Sequence, residues 1–393
     1  MQIRKLTEQD ARASVLASRD AFGGPADGTA NFVNPGIHRW GIFDGDLLAA
    51  KASDREYVSM IGGRPVTTAG AAGVVVAPEY RGRGLARKVM THLLAQARHR
   101  GAAMSTLFRT APALYRSLGY EQVADLIVGE VPASALRGLR VHPSITVRRA
   151  QVGDTAAIRS VYTKITESGS CLLTRTGPGF AASDQELIDS FDGITVAMDQ
   201  DGSMVGYFSW HRGSGAGGVL AITELHTLSV RATESLLAVA GSFDMVTPTI
   251  RLRTSGTDPV HWTIPAAGWS VSDVRPYMLR TVDLANAVRQ RGWPVGLAAA
   301  IDITVEDQVC PWNSGRHRLE WSGGEARLIS DHLQAGAPGA VTIDPRGLAM
   351  LMAGDVTAAV LRRAGLVAGG GRHDDEVLDA AMAGPRPAIL DEF

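Results

Sequence analysis

The chain has 393 residues, with 39 Lys and Arg against 40 Asp and Glu, so its formal net charge is -1. Such a chain has no overall positive field that could offset phosphate charge, which gives no support for a nucleic-acid-binding protein. No window approaches the roughly 20 consecutive apolar residues of a membrane span, and the N-terminus has no apolar signal core. The length exceeds one compact core and predicts two or three domains.

The two cysteines, Cys171 and Cys310, lie far apart and outside any metal-ligand spacing. This pattern indicates a reducing compartment and weighs against a structural disulfide. We therefore predict a cytoplasmic protein without a metal site.

A short strand, a turn and an Asp before a helix occur twice in the chain. The segment from Ile3 to Asp10 is echoed by the segment from Val147 to Asp154, at an offset of 144 residues. Because this offset is about the size of one domain, it predicts an internal duplication. Residues 131–144, which carry Pro132 and Pro143, are predicted to link the two copies.

The most informative segment runs from Val74 to Arg87. Three β-branched residues, Val74 to Val76, predict the end of a buried strand. The pattern Arg-x-x-Gly-x-Ala follows from Arg81, and apolar spacing predicts a helix over 87–100 with Gly101 just past its end. Glycines let the backbone approach a ligand, and a helix N-terminus attracts anions, so the segment predicts a pyrophosphate site.

Two other phosphate-binding folds are excluded by the same residues. A dinucleotide fold would continue as Gly-x-Gly-x-x-Gly with an acidic residue about 20 positions on, whereas position 87 is Arg and Met104-Ser105-Thr106 stand at that distance. A Walker loop would require Gly-Lys-Ser/Thr, which does not follow. The segment instead resembles the acetyl-CoA loop of the GCN5-related N-acetyltransferases.

Acetyl transfer from a thioester to an amine needs a polarised carbonyl, a base and an acid. A backbone N–H on the strand Val74 to Val76 can polarise the carbonyl. The segment from Pro112 to Tyr120 predicts a short helix that ends at Gly119 and is followed by a strand, and Tyr115 on this helix is the candidate acid. Tyr120 is predicted to lie in the core.

The residues alone leave the base open. Three candidates are His226, His92 and the cluster His373-Asp374-Asp375. His92 flanks an apolar helix face, which favours a packed or surface histidine. The cluster follows three glycines and is predicted to be a solvated loop.

The expected second glycine loop would lie between Thr223 and Glu234, where a strand precedes a helix but the glycines are absent. The second copy is therefore predicted to be degenerate, with Gly213 to Gly218 as a hairpin connection. A third segment, of different composition, begins near Asp283. It predicts helices over 284–292, 346–352, 355–364 and from 374, and short strands over 297–305, 318–321 and 326–329, followed by an extended end after Pro385 and Pro387.

Beyond the superfamily, the chain resembles the enhanced intracellular survival (Eis) family. The resemblance rests on the loop described above and on three further segments: 114–120 (Leu-Tyr-Arg-Ser-Leu-Gly-Tyr), 277–280 (Tyr-Met-Leu-Arg), and the ending from Val377 to Phe393. It implies an α/β (α+β) fold with tandem N-acetyltransferase domains, the second degenerate, and a sterol-carrier-protein-like α+β domain. The implied boundaries are 1–140, 146–283 and 284–393.

The resemblance also implies the site residues. Tyr115 would be the general acid, and the terminal carboxylate of Phe393 would be the general base. Glu392 matches an acidic substrate contact, and Asp20 or Asp27 would supply a second one where the family's Asp is replaced by glycine. The implied acetyl-CoA contacts are Val74, Val75, Val76, Arg81, Gly82, Arg83, Gly84, Leu85, Ala86, Arg87, Thr110 and Ala111.

The function implied is acetylation of primary amines on a polycationic small molecule, above all aminoglycoside antibiotics, in a wide acidic pocket. The implied partners are acetyl-CoA and the amine, with neither nucleic acid nor membrane, in a homo-oligomer that is a hexamer in the family. Two alternatives stay open. One is acetylation of protein lysines, and the other is a lipid or sterol carrier with a vestigial transferase.

Overall fold

The first segment of the chain is a mostly antiparallel layer of strands with a helix on either face. The computed structural model describes residues 1–23, 32–180, 183–215, 217–264, 268–330 and 340–393. The elements of this segment are β1 (Gln2–Lys5), α1 (Ala11–Phe22), β2 (Ile37–Asp44), β3 (Leu47–Ile61), β4 (Arg64–Val76), α2 (Leu85–His99), β5 (Met104–Phe108), α3 (Pro112–Ser117) and β6 (Glu121–Pro132). The strand, helix and glycine predictions over 74–120 are confirmed.

The second segment repeats the order of the first. Its elements are β7 (Thr146–Arg149), α4 (Thr155–Glu167), β8 (Leu172–Leu173), α5 (Asp184–Asp189), β9 (Gly193–Met198), β10 (Met204–Arg212), β11 (Val219–Thr227), α6 (Val230–Gly241), β12 (Thr249–Thr254), α7 (Val260–Thr263) and β13 (Ser270–Thr281). The strand and helix predicted near 223–234 are β11 and α6, and the glycine-rich run joins β10 to β11.

The internal duplication extends to side-chain contacts. In the first copy Arg4 donates two hydrogen bonds to Asp10, at 2.7 and 2.8 Å, and in the second copy Arg148 donates two to Asp154, both at 2.7 Å. Each Asp also accepts the backbone N–H of the residue three positions before it, at 2.8 Å. Both copies therefore begin the helix after the short strand with the same Arg–Asp and backbone–Asp hydrogen bonds.

The predicted linker begins too early. Val131 and Pro132 belong to β6, where they pair with Ile250 and Thr249 of β12. Ala133 to Leu136 then forms a buried 3₁₀ turn against α6. Apolar residues at alternate positions of β6 outweigh the proline signal, since Pro132 occupies the last position of its strand.

Both copies share one sheet. Over the described residues its order is β1-β2-β3-β4-β5-β13-β6-β12-β11-β10-β9-β7, and β8 pairs with β3. The strand β13 comes from the second segment but lies between β5 and β6 of the first, paired antiparallel with both. Each copy is therefore completed by chain from the other, and the proposed division at 140 and 146 cuts a continuous hydrogen-bonded layer.

Over its described residues, the third segment forms a separate sheet of five strands with helices packed on it. Its elements are α8 (Leu284–Gln290), β14 (Ala299–Val305), β15 (Gly315–Ser322), β16 (Glu325–Ser330), β17 (Val341–Ile343), α9 (Pro345–Ala353), α10 (Ala358–Arg363), β18 (Val367–Gly369) and α11 (Arg372–Met382). The predictions overlooked β17 and β18, which have three residues each. The cluster His373-Asp374-Asp375, predicted as a solvated loop with a possible helix cap before a helix from 374, lies in the first turn of α11, which begins two residues earlier than predicted.

A fully buried ion pair fastens the third segment to the first two. Arg280 on β13 donates to both carboxylate oxygens of Asp307 at 2.7 Å, and their side chains are 0% and 2% exposed. Gly119 lies against this arginine with φ of +85°, and a Cβ there would collide with the guanidinium. The glycine after α3 is thus required by both its backbone conformation and its packing.

Two features bear on the predicted environment of the protein. Both cysteines are free and buried, and burial raises the pKa of Cys171 to about 12 and that of Cys310 to about 11. They are therefore protonated and inert thiols near neutral pH. None of the described helices is long and apolar enough to cross a membrane.

Candidate active site

The glycine loop leaves its amide groups free to bind a ligand. Gly82 and Gly84 have φ of +75° and +73°, and a Cβ at either would meet no heavy atom within 4 Å, so the glycines serve the backbone turn. The first hydrogen bond of α2 runs from Lys88 N–H to the Gly84 carbonyl, at 3.0 Å. The N–H groups of Leu85 to Arg87 therefore have no acceptor inside their own helix. This cradle fits a pyrophosphate.

The arginines of this loop have different surroundings. Arg81 is exposed, and Arg83 donates to the Glu79 carbonyl at 3.1 Å with its guanidinium 5.0 Å from the Tyr80 ring. Arg87 donates to the Ser117 carbonyl at 2.9 Å and so joins α2 to α3. Of the other predicted contacts, Val75 and Leu85 are buried, Val74, Val76 and Ala86 are half-buried, and Thr110 and Ala111 are exposed.

A gap opens in the sheet beside this loop. Strands β4 and β5 pair in parallel at Thr68–Gly70 with Met104–Thr106. Beyond these residues β4 continues to Val76 and β5 to Phe108, but the two strands no longer pair with each other. Backbone groups on the two facing edges are therefore available to an extended ligand. The strand Val74 to Val76 forms one edge of this gap.

The C-terminal residue lies at the start of the gap. The ring of Phe393 is 5.0 Å from Tyr57, 5.4 Å from Phe108 and 6.4 Å from Tyr277, all measured between ring centroids. A Cβ on Gly70 would come within 3.1 Å of the Phe393 ring and would collide with Tyr57. Although it ends the chain, Phe393 is therefore packed inside the first copy.

Tyr115 lies on the opposite face of the same strands. It is 4% exposed and belongs to an apolar cluster with Ala71, Leu107 and α2, whereas Phe393 packs against Phe108 and Gly70. Successive residues of a strand point to opposite faces. The two residues predicted to be catalytic thus pack on opposite faces of β4 and β5.

A cavity of about 830 Å³ opens on the Phe393 side. It lies between the two copies and is lined by residues that include Ile37, Tyr162, Arg175, Phe180, Glu224 and Asp391. The Phe180 ring is 5.1 Å from Tyr57, which contacts Phe393. The volume suits a small molecule, and the cavity adjoins the chain terminus.

Comparisons with known proteins agree with this architecture. Residues 2–123 match the acetyltransferase (GNAT) domain, and residues 284–390 match the sterol carrier protein domain. A GCN5-related N-acetyltransferase from Kribbella flavida is 30% identical, with a TM-score of 0.87 over 100% of this chain and 98% of that one. The chain belongs to the GCN5-related N-acetyltransferases.

Two further relatives show the same organisation along the chain. An uncharacterised N-acetyltransferase of Streptomyces coelicolor is 29% identical over 333 residues, which cover 78% of this chain and 76% of that protein. Eis1 from Mycobacterium abscessus has the same fold, with a TM-score of 0.77, 19% identity and full coverage of both chains. The protein is an acyl-CoA-dependent N-acetyltransferase with acetyl-CoA as its implied co-substrate.

In this acetyltransferase the described carboxylates that were predicted to contact the substrate are paired with arginines of the same chain. Glu392 pairs with Arg253 at 3.1 Å and with Arg275, and Asp20 is exposed and pairs with its neighbour Arg19 at 3.1 Å. Neither carboxylate is presented alone to a cation. Asp27, the other candidate, lies outside the described residues.

None of the histidine candidates has the properties of a base at the gap. Burial, with help from Arg175, lowers the pKa of His226 to about 3, so its imidazole is neutral and a very weak base. His92 packs 4.7 Å from Trp40, as its helix position predicted. In the part of the chain that the structure describes, no group of three or more His, Cys, Asp or Glu could hold a metal ion, which leaves the predicted absence of a metal untested.

The sequence did not reveal the surroundings of the terminus. Tyr57, Gly70 and Phe108 are ordinary strand residues in the sequence, and Tyr277 was noted only as part of a motif. Arg175 follows no motif, and the Gly-Pro-Gly that comes two residues later predicts only a turn. These residues converge because β13 and the C-terminal tail are brought to the first copy from elsewhere in the chain.

Replacing Tyr115 by Phe is expected to lower kcat by about 10² to 10⁴-fold, the usual range for a lost acid catalyst. Burial raises the pKa of Tyr115 above its ordinary value, partly offset by the hydrogen bond with Thr110, so its hydroxyl carries its proton at neutral and mildly alkaline pH. The wild type should therefore show no loss from this group at neutral and mildly alkaline pH. The pH profile of kcat for both forms would measure this.

A matched control is Tyr120→Phe. Tyr120 is fully buried and its hydroxyl contacts Ser105 at 2.7 Å, so this change removes one internal hydrogen bond without touching the gap. We expect near-normal kcat with lower stability. Equal activity of the Tyr115 variant and the wild type would refute the role of Tyr115.

Proposed function

We propose that the protein transfers the acetyl group of acetyl-CoA to a primary amine of a small molecule, with Tyr115 as general acid and the Phe393 carboxylate as general base. The observation that supports this proposal is that Phe393 packs against Gly70 and Phe108, while Tyr115 packs on the other face of β4 and β5. The glycine loop lies at the end of β4, where it can hold the pyrophosphate.

Each proton has a defined route in this proposal. The amine nitrogen forms the new bond to the carbonyl carbon and gives its proton to the Phe393 carboxylate. The carbon–sulfur bond breaks, and the departing thiolate takes the Tyr115 proton. The Phe393 residue that carries this carboxylate is half-buried among aromatic rings.

The acceptor reaches this site through the cavity of about 830 Å³. Glu224 and Asp391 share one cation, Arg175, so these three wall residues keep one net negative charge, which suits an amine, while Tyr162 and Phe180 contribute aromatic surface. Aminoglycosides are the first acceptors to test, because of the sequence resemblance to the Eis family. The full-length likeness to the fold of Eis1 is consistent with that choice.

An acceptor screen tests this proposal. We expect thiol release from acetyl-CoA with kanamycin at a higher kcat/KM than with a lysine-containing peptide, because the acceptor cavity is closed in by both copies. Thiol release would be followed continuously in the same assay for both acceptors. A higher kcat/KM on the peptide would replace the small-molecule proposal by protein lysine acetylation, and turnover on neither amine would refute both.

The other finer predictions remain to be tested. The hexameric assembly is implied by the resemblance to the Eis family, and the cytoplasmic location is predicted from the cysteines and the absence of apolar signal and membrane segments. The third segment matches the sterol carrier protein domain. No observation on its described residues favours lipid binding. A vestigial transferase is not favoured, since the glycine loop keeps both left-handed glycines.

A further inference from the structure

The last three residues of the chain are held by three different parts of the molecule. Phe393 packs in the first copy, and Glu392 pairs with Arg253 and Arg275 on β12 and β13. Asp391 is bound in the second copy, where the Tyr162 hydroxyl donates to Oδ2 at 2.7 Å and Arg175 Nε donates to Oδ1 at 2.7 Å. Both oxygens of Asp391 are thus occupied.

Arg175 combines charged and aromatic contacts with an uncommon backbone conformation. Its side chain is 22% exposed, its guanidinium lies 3.8 Å from the Tyr162 ring, and its Nη1 pairs with Glu224 at 2.6 Å while Nε holds Asp391. Its backbone has φ of +56°, a conformation that residues with a β-carbon rarely adopt. Such a conformation persists where the surrounding contacts require it, and it clusters at functional sites.

The backbone before Arg175 is attached to the first copy. The Cys171 and Thr174 N–H groups donate to the carbonyls of Met60 and Val58 on β3, at 2.7 and 2.9 Å. Arg175, a residue of the second copy whose preceding segment is hydrogen-bonded to β3 of the first, therefore pairs with Glu224 and binds the tail two residues before its end. The rest of the tail is buried here as well, with Ile389 and Leu390 at 0% and 6% exposure.

We infer that Arg175 is a positioning residue that holds the tail through Asp391 and so delivers the Phe393 carboxylate to the gap between β4 and β5. This inference rests on the proposed function of Phe393. A guanidinium is suited to the task because Nε and Nη1 hold the two carboxylates in a fixed planar arrangement, whereas a lysine ammonium is a point charge on a flexible stem. Arg175 acts through the tail and does not itself contact the reacting atoms.

The test combines kinetics with accessibility of the terminus in the full chain. We expect Arg175→Ala to lower kcat at least about tenfold, toward that of the Phe393 deletion, with KM for acetyl-CoA unchanged because the glycine loop is untouched. Carboxypeptidase A should release Phe393 at least about tenfold faster than from the wild type, since cleavage follows the population of the opened tail. Asp391→Asn, which keeps the pair of Arg175 and Glu224, should likewise lower kcat and speed the release of the terminal Phe393.

Two further variants separate positioning from a loss of charge balance. If Arg175 merely neutralised Glu224, then adding Glu224→Gln to Arg175→Ala would restore kcat, and this result would overturn the inference. Arg175→Lys should recover only part of kcat. The control Arg372→Ala changes an exposed arginine of α11 and should leave kcat and the release of Phe393 unchanged.

The outcomes distinguish this inference from the proposed function. Wild-type kcat and wild-type protection from carboxypeptidase in Arg175→Ala would refute the positioning role while Phe393 could still be the base. Full kcat in the Phe393 deletion would refute the base. In that case rapid release of Phe393 from Arg175→Ala would still support a tail held by Arg175, and unchanged release would refute it.

Discussion

Deleting Phe393 is expected to lower kcat by about 10² to 10⁴-fold, the contribution of a positioned general base. The change removes both the ring packed against Tyr57 and Phe108 and the carboxylate beside the gap. KM for acetyl-CoA should change little, because its predicted contacts lie on the glycine loop and β4. Steady-state kinetics with acetyl-CoA and the best amine would measure both constants.

Two variants separate the ring from the carboxylate. Adding one glycine after Phe393 keeps the ring but moves the carboxylate by one residue, and it should be as harmful as the deletion. Phe393→Leu keeps the carboxylate in place with a smaller apolar side chain and should retain kcat within about tenfold. Normal kcat in the extended variant would show that the terminal carboxylate is not the base.

Replacing Arg280 by Met is expected to cost about 3–5 kcal/mol in the free energy of unfolding, the usual effect of removing one partner of a buried ion pair. The change leaves the Asp307 carboxylate, 2% exposed, without its bidentate partner between β13 and the third segment. Arg280 also packs against Gly119 at the end of α3, so the loss should loosen the helix that carries Tyr115. Denaturant unfolding would measure the effect.

The double variant Arg280→Met with Asp307→Asn provides the control, because asparagine keeps an oxygen that can accept the Val309 and Cys310 N–H groups. If the cost comes from the unpaired charge, removing that charge should restore part of the stability. Arg372→Ala, which breaks an exposed pair with Glu376, should leave the unfolding midpoint unchanged. An Arg280→Met protein as stable as the wild type would contradict this account of how the third segment is attached.

Local patterns predicted most of the individual elements. The glycine loop, α2, the helix around Tyr115 and both copies of the strand-to-Asp start depend on contacts within about ten residues, which spacing and turn chemistry reveal. The errors arise where contacts between parts of the chain that are distant in sequence determine the local structure. Pro132 ends a strand because β12 pairs with it, and β17 and β18 are too short to have a period of their own.

The candidate site divides in the same way. The glycine loop and Tyr115 are close in sequence to the strand they serve, so the donor half could be predicted from local residues. Phe393 was assigned only through a resemblance, since nothing in a terminal Phe indicates where its carboxylate lies. Its contacts with Tyr57, Phe108 and Tyr277 join residues that are more than 100 positions apart in the chain.

The sequence by itself determined that this chain contains two copies of one transferase unit and that only the first keeps the glycines needed to bind a pyrophosphate, because these properties depend on backbone conformation at a few adjacent residues. Only the tertiary structure decided where the copies complete each other and where the tail ends. The position of β13 between β5 and β6, and of Phe393 beside Gly70, results from burial of apolar surface and pairing of strand edges across the whole chain. No short window of sequence encodes these long-range contacts.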